Sequence, residues 1–514
     1  MTNNSRDQVL PASRRAGVGL HLTSLPGPFG IGEIGSSARW FVDTMTKMNL
    51  SIWQFLPTGP TAYGDSPYQP LSTFAGNELL IDISELIALG LLGAQEVAAL
   101  AALPRDFVDY GALIPAKNRV LRVAAGRFAA TASAELQSAC EEYIAQHDQS
   151  WLHDYALFRI LKSQHGERPW PEWQAQYVHR EPDALRALEK SEAAHIAAIK
   201  IIQFLFHHQW QKLRSYAKAR DVLLFGDMPI YIALDSADAW ANPEILRINA
   251  DGRPDHVAGV PPDYFSADGQ LWGNPLYAWE MHARNGYRWW IDRMRASVEL
   301  ADLVRIDHFR GFESYWSVPA SAATARFGSW EIGPGDAIFD AMKKSLGQLP
   351  IVAEDLGVIT HDVEGLRDRH RIPGMVVLQF DVADPDFKFE NIAENSVCYT
   401  GTHDNDTTIG WFHGSPGDLR STAEIARTQA AATARTGGSA ATIHTDMIRL
   451  AFSSHSRLSI APLQDFLGLG SEARINTPGK PANNWRWRFK DEQLTATVIA
   501  QAAGLVRDSG RAAG

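Results

Sequence analysis

Residues 301–311 read ADLVRIDHFRG, an apolar, strand-forming run that ends on a carboxylate, Asp307. Strand alternation puts Arg305 and Asp307 on one face and Ile306 on the other. The same design recurs twice. LPIVAEDLG (349–357) delivers Glu354 and Asp355, and SVCYTGTHDND (396–406) delivers His403 and Asp404. A buried strand that presents an acid at its C-terminal end is what a parallel α/β barrel does at its catalytic face.

Five further segments have this short, apolar, Gly- or Pro-bounded character: 17–25, 51–57, 221–230, 374–380 and 457–463. With 301–307, 349–355 and 396–402 they make eight candidate strands, the number that closes a βα barrel. Helical patterns such as RWFVDTMTKMN (39–49) and QWQKLRSYAKAR (209–220) lie between them. The expected fold class is α/β, a (β/α)8 TIM barrel over 1–514 with large, mainly helical insertion subdomains over its C-terminal face. One insertion is expected over 58–220, between the second and third strands. A second, over 231–300, carries the Pro/Gly-rich substrate loop AGVPPDYFSADGQLWGNPLY (258–277).

At 514 residues, with 45% hydrophobic and 21% charged residues, the chain can bury a large core without disulfide staples. Its net charge of −11 and lack of a basic run point away from nucleic acid and anionic membranes. Two cysteines, Cys140 and Cys398, far apart and in no ligand spacing, fit a reducing compartment. The N-terminal stretch MTNNSRDQVLPASRRAG lacks an apolar h-region, so the expected location is cytoplasmic.

Acids converging on one pocket are what cleavage of a sugar–sugar bond requires. Taken alone, Arg305–Asp307 serves equally as an ion pair capping a strand, and THDND as an Asx-rich helix cap. An EF-hand spacing is absent from that cluster, and no esterase, P-loop or zincin motif occurs, so neither metal nor cofactor is called for. The Gly-rich GPFGIGEIG (27–35) superficially contains the turn of a dinucleotide fingerprint, but it carries a Pro and the ribose-binding acid is missing. Two Gly/Pro loops, GPTAYGDSPYQP (59–70) and PPDYFSADGQLWGNP (261–275), carry aromatic and polar residues that would serve equally as loop anchors packed on the barrel or as platforms for sugar rings.

Taken together, HLTSLPGPFGIGEIG, LPTGPTAYGDSPYQPLSTFAGN, GDMPIYIALDSADAW, GVPPDYFSADGQLWGNPLY, VRIDHFRGFESYW, AEDLG, GTHDND and RINTPGKPANNWRWR resemble the amylomaltases, the 4-α-glucanotransferases of glycoside hydrolase family 77 in the α-amylase superfamily. The chain resembles the short form, without the extension of longer members. The resemblance implies Asp307 as nucleophile, Glu354 as acid/base and Asp404 as a third carboxylate that grips substrate hydroxyls. It implies Arg305, His308 and His403 beside those acids, with Asp227 an acid at the third strand end. Tyr63, Asp65, Tyr264, Phe265, Trp272 and Asn274 match residues that hold glucan around the cleft. The implied reaction is transfer of an α-1,4-glucan segment to the 4-hydroxyl of another glucan or of glucose, with retention and a carboxyl separation of about 5–5.5 Å. The alternative on the same scaffold is an α-glucan hydrolase. A monomer or weak homodimer is expected.

Overall fold

The computed structural model describes residues 9–262, 268–415, 418–480 and 482–512. Among the described residues there are twelve strands: β1 (Arg15–Gly19), β2 (Ile52–Gln54), β3 (Leu223–Pro229), β4 (His256–Val260), β5 (Gln270–Pro275), β6 (Leu303–Asp307), β7 (Ser314–Pro319), β8 (Ser329–Ile332), β9 (Ile351–Ala353), β10 (Gly374–Val377), β11 (Ser396–Tyr399) and β12 (Leu458–Pro462). Eight of them form one parallel sheet in the order β10-β11-β12-β1-β2-β3-β6-β9. Seven of the eight fall within a segment anticipated from sequence, and β1 overlaps its segment but begins two residues earlier. The seam between β9 and β10 is bridged by the Ala353 amide, which donates to Pro373 O at 2.8 Å. The Met375 amide closes it further by donating to Asp355 Oδ1 at 2.7 Å. The sheet is a nearly closed (β/α)8 barrel.

Alternation along the strands divides the apolar residues between two cores. Ile52, Phe225, Leu303, Val352, Val377, Val397, Leu458 and Ile460 fill the barrel interior. Trp53, Leu224, Val304, Ile306, Ala353 and Ala461 face outward into the layer of helices. At the waist a side chain on Gly17 would meet the Ile52 carbonyl oxygen at 2.8 Å, so the interior admits only glycine there. Because Leu303 points inward, so do Arg305 and Asp307, two and four residues on.

Between β2 and β3 the chain is mostly helical, with the long helices Tyr110–Thr131, Ala134–His147, His153–Gln164 and Ala193–Lys218. Between β3 and β6 it carries β4 and β5, then the helix Arg288–Leu300. These two strands join β7 and β8 in an antiparallel sheet of order β5-β4-β7-β8. One small sheet is thus assembled from the segments before and after β6. The expected 231–300 unit shares it with residues 314–332. Among the described residues no helix is long and apolar enough to cross a membrane.

Candidate active site

The mouth of the barrel is organised around one buried guanidinium. Arg305, 3% exposed, donates from Nη2 to Asp227 Oδ2 at 2.6 Å and to the Tyr68 hydroxyl at 3.1 Å, and it lies 3.0 Å from Asp307 Oδ1. The Tyr68 hydroxyl donates to the same Asp227 oxygen at 2.6 Å. Asp227 on β3 thus shares the cation with Asp307 at the end of β6, whose side chain is 31% exposed.

Arg305 alone would hold Asp307 well below its ordinary range. Instead burial pushes the Asp307 carboxyl up, Arg305 offsets part of this, and Asp227 and Asp404 push it further. The cation that should favour the carboxylate is already matched by Asp227 at the shorter distance.

Glu354 follows β9 directly. Its Oε2 accepts the His308 amide at 2.7 Å and its Oε1 the Leu356 amide at 3.2 Å. The Phe309 amide donates to the Glu354 carbonyl at 3.1 Å, so the turns after β6 and β9 are laced together. Burial, then the neighbouring Asp307 charge, push Glu354 up, with Arg305 and the His308 amide opposing. The two carboxyls titrate as a pair. Arg305 touches Asp307, so the first negative charge rests on Asp307 and the proton stays on Glu354.

The turn that supplies the amide is strained. His308 has φ 56°, a left-handed conformation uncommon for a side-chain-bearing residue. Its ring stands edge-on to Trp272 of β5 at 4.8 Å. Burial, with Arg310 nearby, lowers the imidazole to about 3, so it is neutral.

The third acid lies across the mouth. Asp404 is half exposed, with Oδ1 accepting from Asn476 Nδ2 at 2.6 Å and its carbonyl from Arg474 Nη2 at 2.7 Å. His403 Nε2 lies 3.3 Å from Asp404 Oδ2. Burial lowers the His403 pKa against the pull of Asp404. The His403 ring stacks on Tyr68 at 5.1 Å and 16°, with Trp485 tilted against both. His21, past the end of β1, joins His403 in lining the cavity at the mouth. It is lowered to about 3 by burial and by His403.

The remaining expected residues divide. Asp65 lies in a short 3-10 turn opened by Tyr63 and is pushed up by burial, with Arg486 opposing. Asn274 is buried and braces two loops: Oδ1 accepts from Gln69 at 3.0 Å and Nδ2 donates to Ile232 O at 2.9 Å. Tyr264 and Phe265 lie outside the described residues. Asp355 and Asp406 work behind the site. Asp355 pairs with Arg367, and Asp406 accepts from Ser471 Oγ at 2.7 Å.

Sequence reasoning singled out Tyr68 only as one aromatic of the 59–70 loop, and it missed the contribution of His21, Arg474, Asn476 and Trp485 to this mouth. The only available signal was their membership in the quoted motifs.

An eight-stranded parallel barrel with three carboxylates and an arginine at its C-terminal mouth defines a barrel enzyme acting on glycosidic bonds. The 4-alpha-glucanotransferase family model, glycoside hydrolase family 77, matches residues 20–495. The 4-alpha-glucanotransferase of Synechocystis sp. is 44% identical over 504 residues, covering 97% of this chain and 98% of that protein. That of Thermus thermophilus is 44% identical over 487 residues, 94% of this chain and 96% of that protein. The solved structure of amylomaltase from Streptococcus agalactiae in complex with acarbose superposes with a TM-score of 0.91 at 34% identity, covering 97% of this chain and all of that one (100%). The chain belongs to the 4-α-glucanotransferase family, and it is a transglycosylase acting on α-1,4-glucans.

Proposed function

We propose that Asp307, Glu354 and Asp404 carry the transfer, as nucleophile, acid/base and substrate grip, in a retaining double displacement. The carrying observation is the Arg305 guanidinium 3.0 Å from Asp307, which favours a charged Asp307 beside a protonated Glu354. Glu354 gives its proton to the glycosidic oxygen as that bond breaks, and an Asp307 oxygen bonds to the anomeric carbon. The freed glucan leaves with the proton. The 4-hydroxyl of an acceptor, a glucan or glucose, then loses its proton to Glu354 and attacks the anomeric carbon, releasing Asp307. Two faces of the cleft support exclusion of water: the Tyr68–His403–Trp485 stack and the Trp272–His308 pair, flat apolar surfaces that favour a sugar ring over solvent.

The enzyme acts as a monomer or weak homodimer in the cytoplasm. The two buried free thiols, Cys140 and Cys398, fit that reducing compartment. Incubation with maltotriose tests the reading. Chain lengths redistribute, from glucose upward, while the number of reducing ends stays constant. A steady climb in reducing ends makes water the acceptor and overturns it.

A further inference from the structure

The small antiparallel sheet ends on β8, and one face of that strand carries an aromatic ring held open to solvent. Trp330 is 42% exposed although it is among the largest apolar side chains. Its orientation is fixed from two sides. The Arg310 guanidinium lies over one indole face at 3.9 Å, and Trp316 of β7 meets the ring edge-on at 5.1 Å. Both supports are themselves anchored. Trp316 Nε1 donates to Ala325 O at 2.7 Å. Arg310 is buried and donates from Nη1 to Val358 O and from Nη2 to Ser314 Oγ at 3.1 Å. Ser314 Oγ in turn donates to Glu313 Oε2 at 2.5 Å, which sets a hydroxyl and a carboxylate beside the platform.

The position ties this ring to the cleft. Arg310 follows Asp307 by three residues and Val358 follows Glu354 by four, so the Arg310–Val358 bond joins the two loops that leave the acids. The indole stands on that joint. A flat apolar face with polar groups at its margin is the chemistry that recognises the C–H face of a pyranose. Since Arg310 and Trp316 already hold the ring from two sides, stacking a sugar on it orders little that was free.

A second protein strand fits this edge poorly. β8 has only four residues, and Glu331 between Trp330 and Ile332 turns to the other face, where its Oε2 accepts from Arg247 at 2.5 Å and from the Tyr315 hydroxyl at 3.0 Å.

We propose that Trp330 is an outer sugar-stacking subsite, which takes a glucose ring of an α-1,4-glucan several residues removed from the bond being exchanged. The proposal rests on the glucan-transfer reading above and adds a preference for long chains to it. Short substrates that end before the platform gain nothing from it, and longer ones bind better without any change at the acids.

Disproportionation of maltotriose and of maltoheptaose by the wild type, W330A and W330F tests this. W330A lowers kcat/KM for maltoheptaose about five- to tenfold, mainly through KM, and thereby shifts its ratio to the maltotriose value; W330F retains most of the ratio. Equal losses on both substrates would make Trp330 a framework residue and overturn the proposal, as would no loss on either. A change in the elution volume of W330A on size exclusion would assign the patch to a second copy of the chain and overturn it too. The wild-type product profile from maltotriose in the same assay reports on the transfer reading independently.

Discussion

Arg305 decides where negative charge rests in the barrel mouth, and its division between Asp227 and Asp307 has a measurable consequence. On the proposed roles, turnover requires an ionised Asp307 and a protonated Glu354, so the acid limb of the pH profile follows the first and the alkaline limb the second. Both are pushed up, and Asp404 is one of the charges that raises Asp307. A nearby negative charge disfavours the carboxylate; removing it lowers the pKa. The residual activity of Asp404→Asn therefore shows its acid limb at lower pH than the wild type. An acid limb that stays put in kcat/KM against pH would separate Asp404 electrically from Asp307.

The described residues of 474–480 and 482–489 form the strap that fixes the third acid. It bonds Asp404 through Asn476 and Arg474, and it leans Trp485 on Tyr68 and His403. Its other side is pinned to the helical segment. The Val108 amide donates to Arg486 O at 2.8 Å, the Arg488 amide to Asp106 O at 3.2 Å, and the Tyr110 hydroxyl to Trp485 O at 3.1 Å. Asn476→Ala removes a hydrogen bond to a charged group, and kcat falls about tenfold or more while the melting temperature holds. A matching loss of melting temperature would mean that Asn476 supports the fold instead.

This strap also marks where sequence reading stops. The eight barrel strands announce themselves as local apolar runs, and the three acids stand at the ends of such runs. The bond from Asn476 to Asp404 spans 72 residues with no periodic signal. β4 and β5 hide in a Pro/Gly-rich stretch that reads as loop, because their pairing partners include β7, on the far side of β6. Asn274 sits in a loop motif suited to sugar contact, yet its amide meets Gln69 and Ile232, contacts that only the folded loops create.

Across the whole molecule, buried titratable groups pull stability in opposite directions. His21 and His308 are lowered to about 3, and His147 and His282 to about 4, all mainly by burial. Each takes up a proton on unfolding below about pH 6.5, so this set destabilises the fold as pH falls. Glu33 and Asp307 are raised to about 7, Glu354 to about 8, and Asp238 and Asp381 to about 6, again mainly by burial. Each of these loses a proton on unfolding, so this set destabilises the fold as pH rises above the ordinary carboxylate range. Between roughly pH 4.5 and 6.5 the two sets oppose each other. The melting temperature accordingly runs nearly flat through that window. It declines just above about pH 6.5, where the acids act alone, and levels once they are ionised in the folded state as well. A melting temperature that climbs steadily from about pH 4.5 to 6.5 in scanning calorimetry would give the histidines sole control.

The barrel order places β1 beside β12, the first strand of the chain beside the last. A ribosome making residues at about 5–20 per second finishes β1 between about 20 and 90 s before β12 emerges. For that interval β1 has only β2 to pair with, and its other edge stays open. Asp404 likewise emerges before the Asn476 that will hold it. Vectorial synthesis thus yields no working mouth by instalments: the first barrel strand waits for the last.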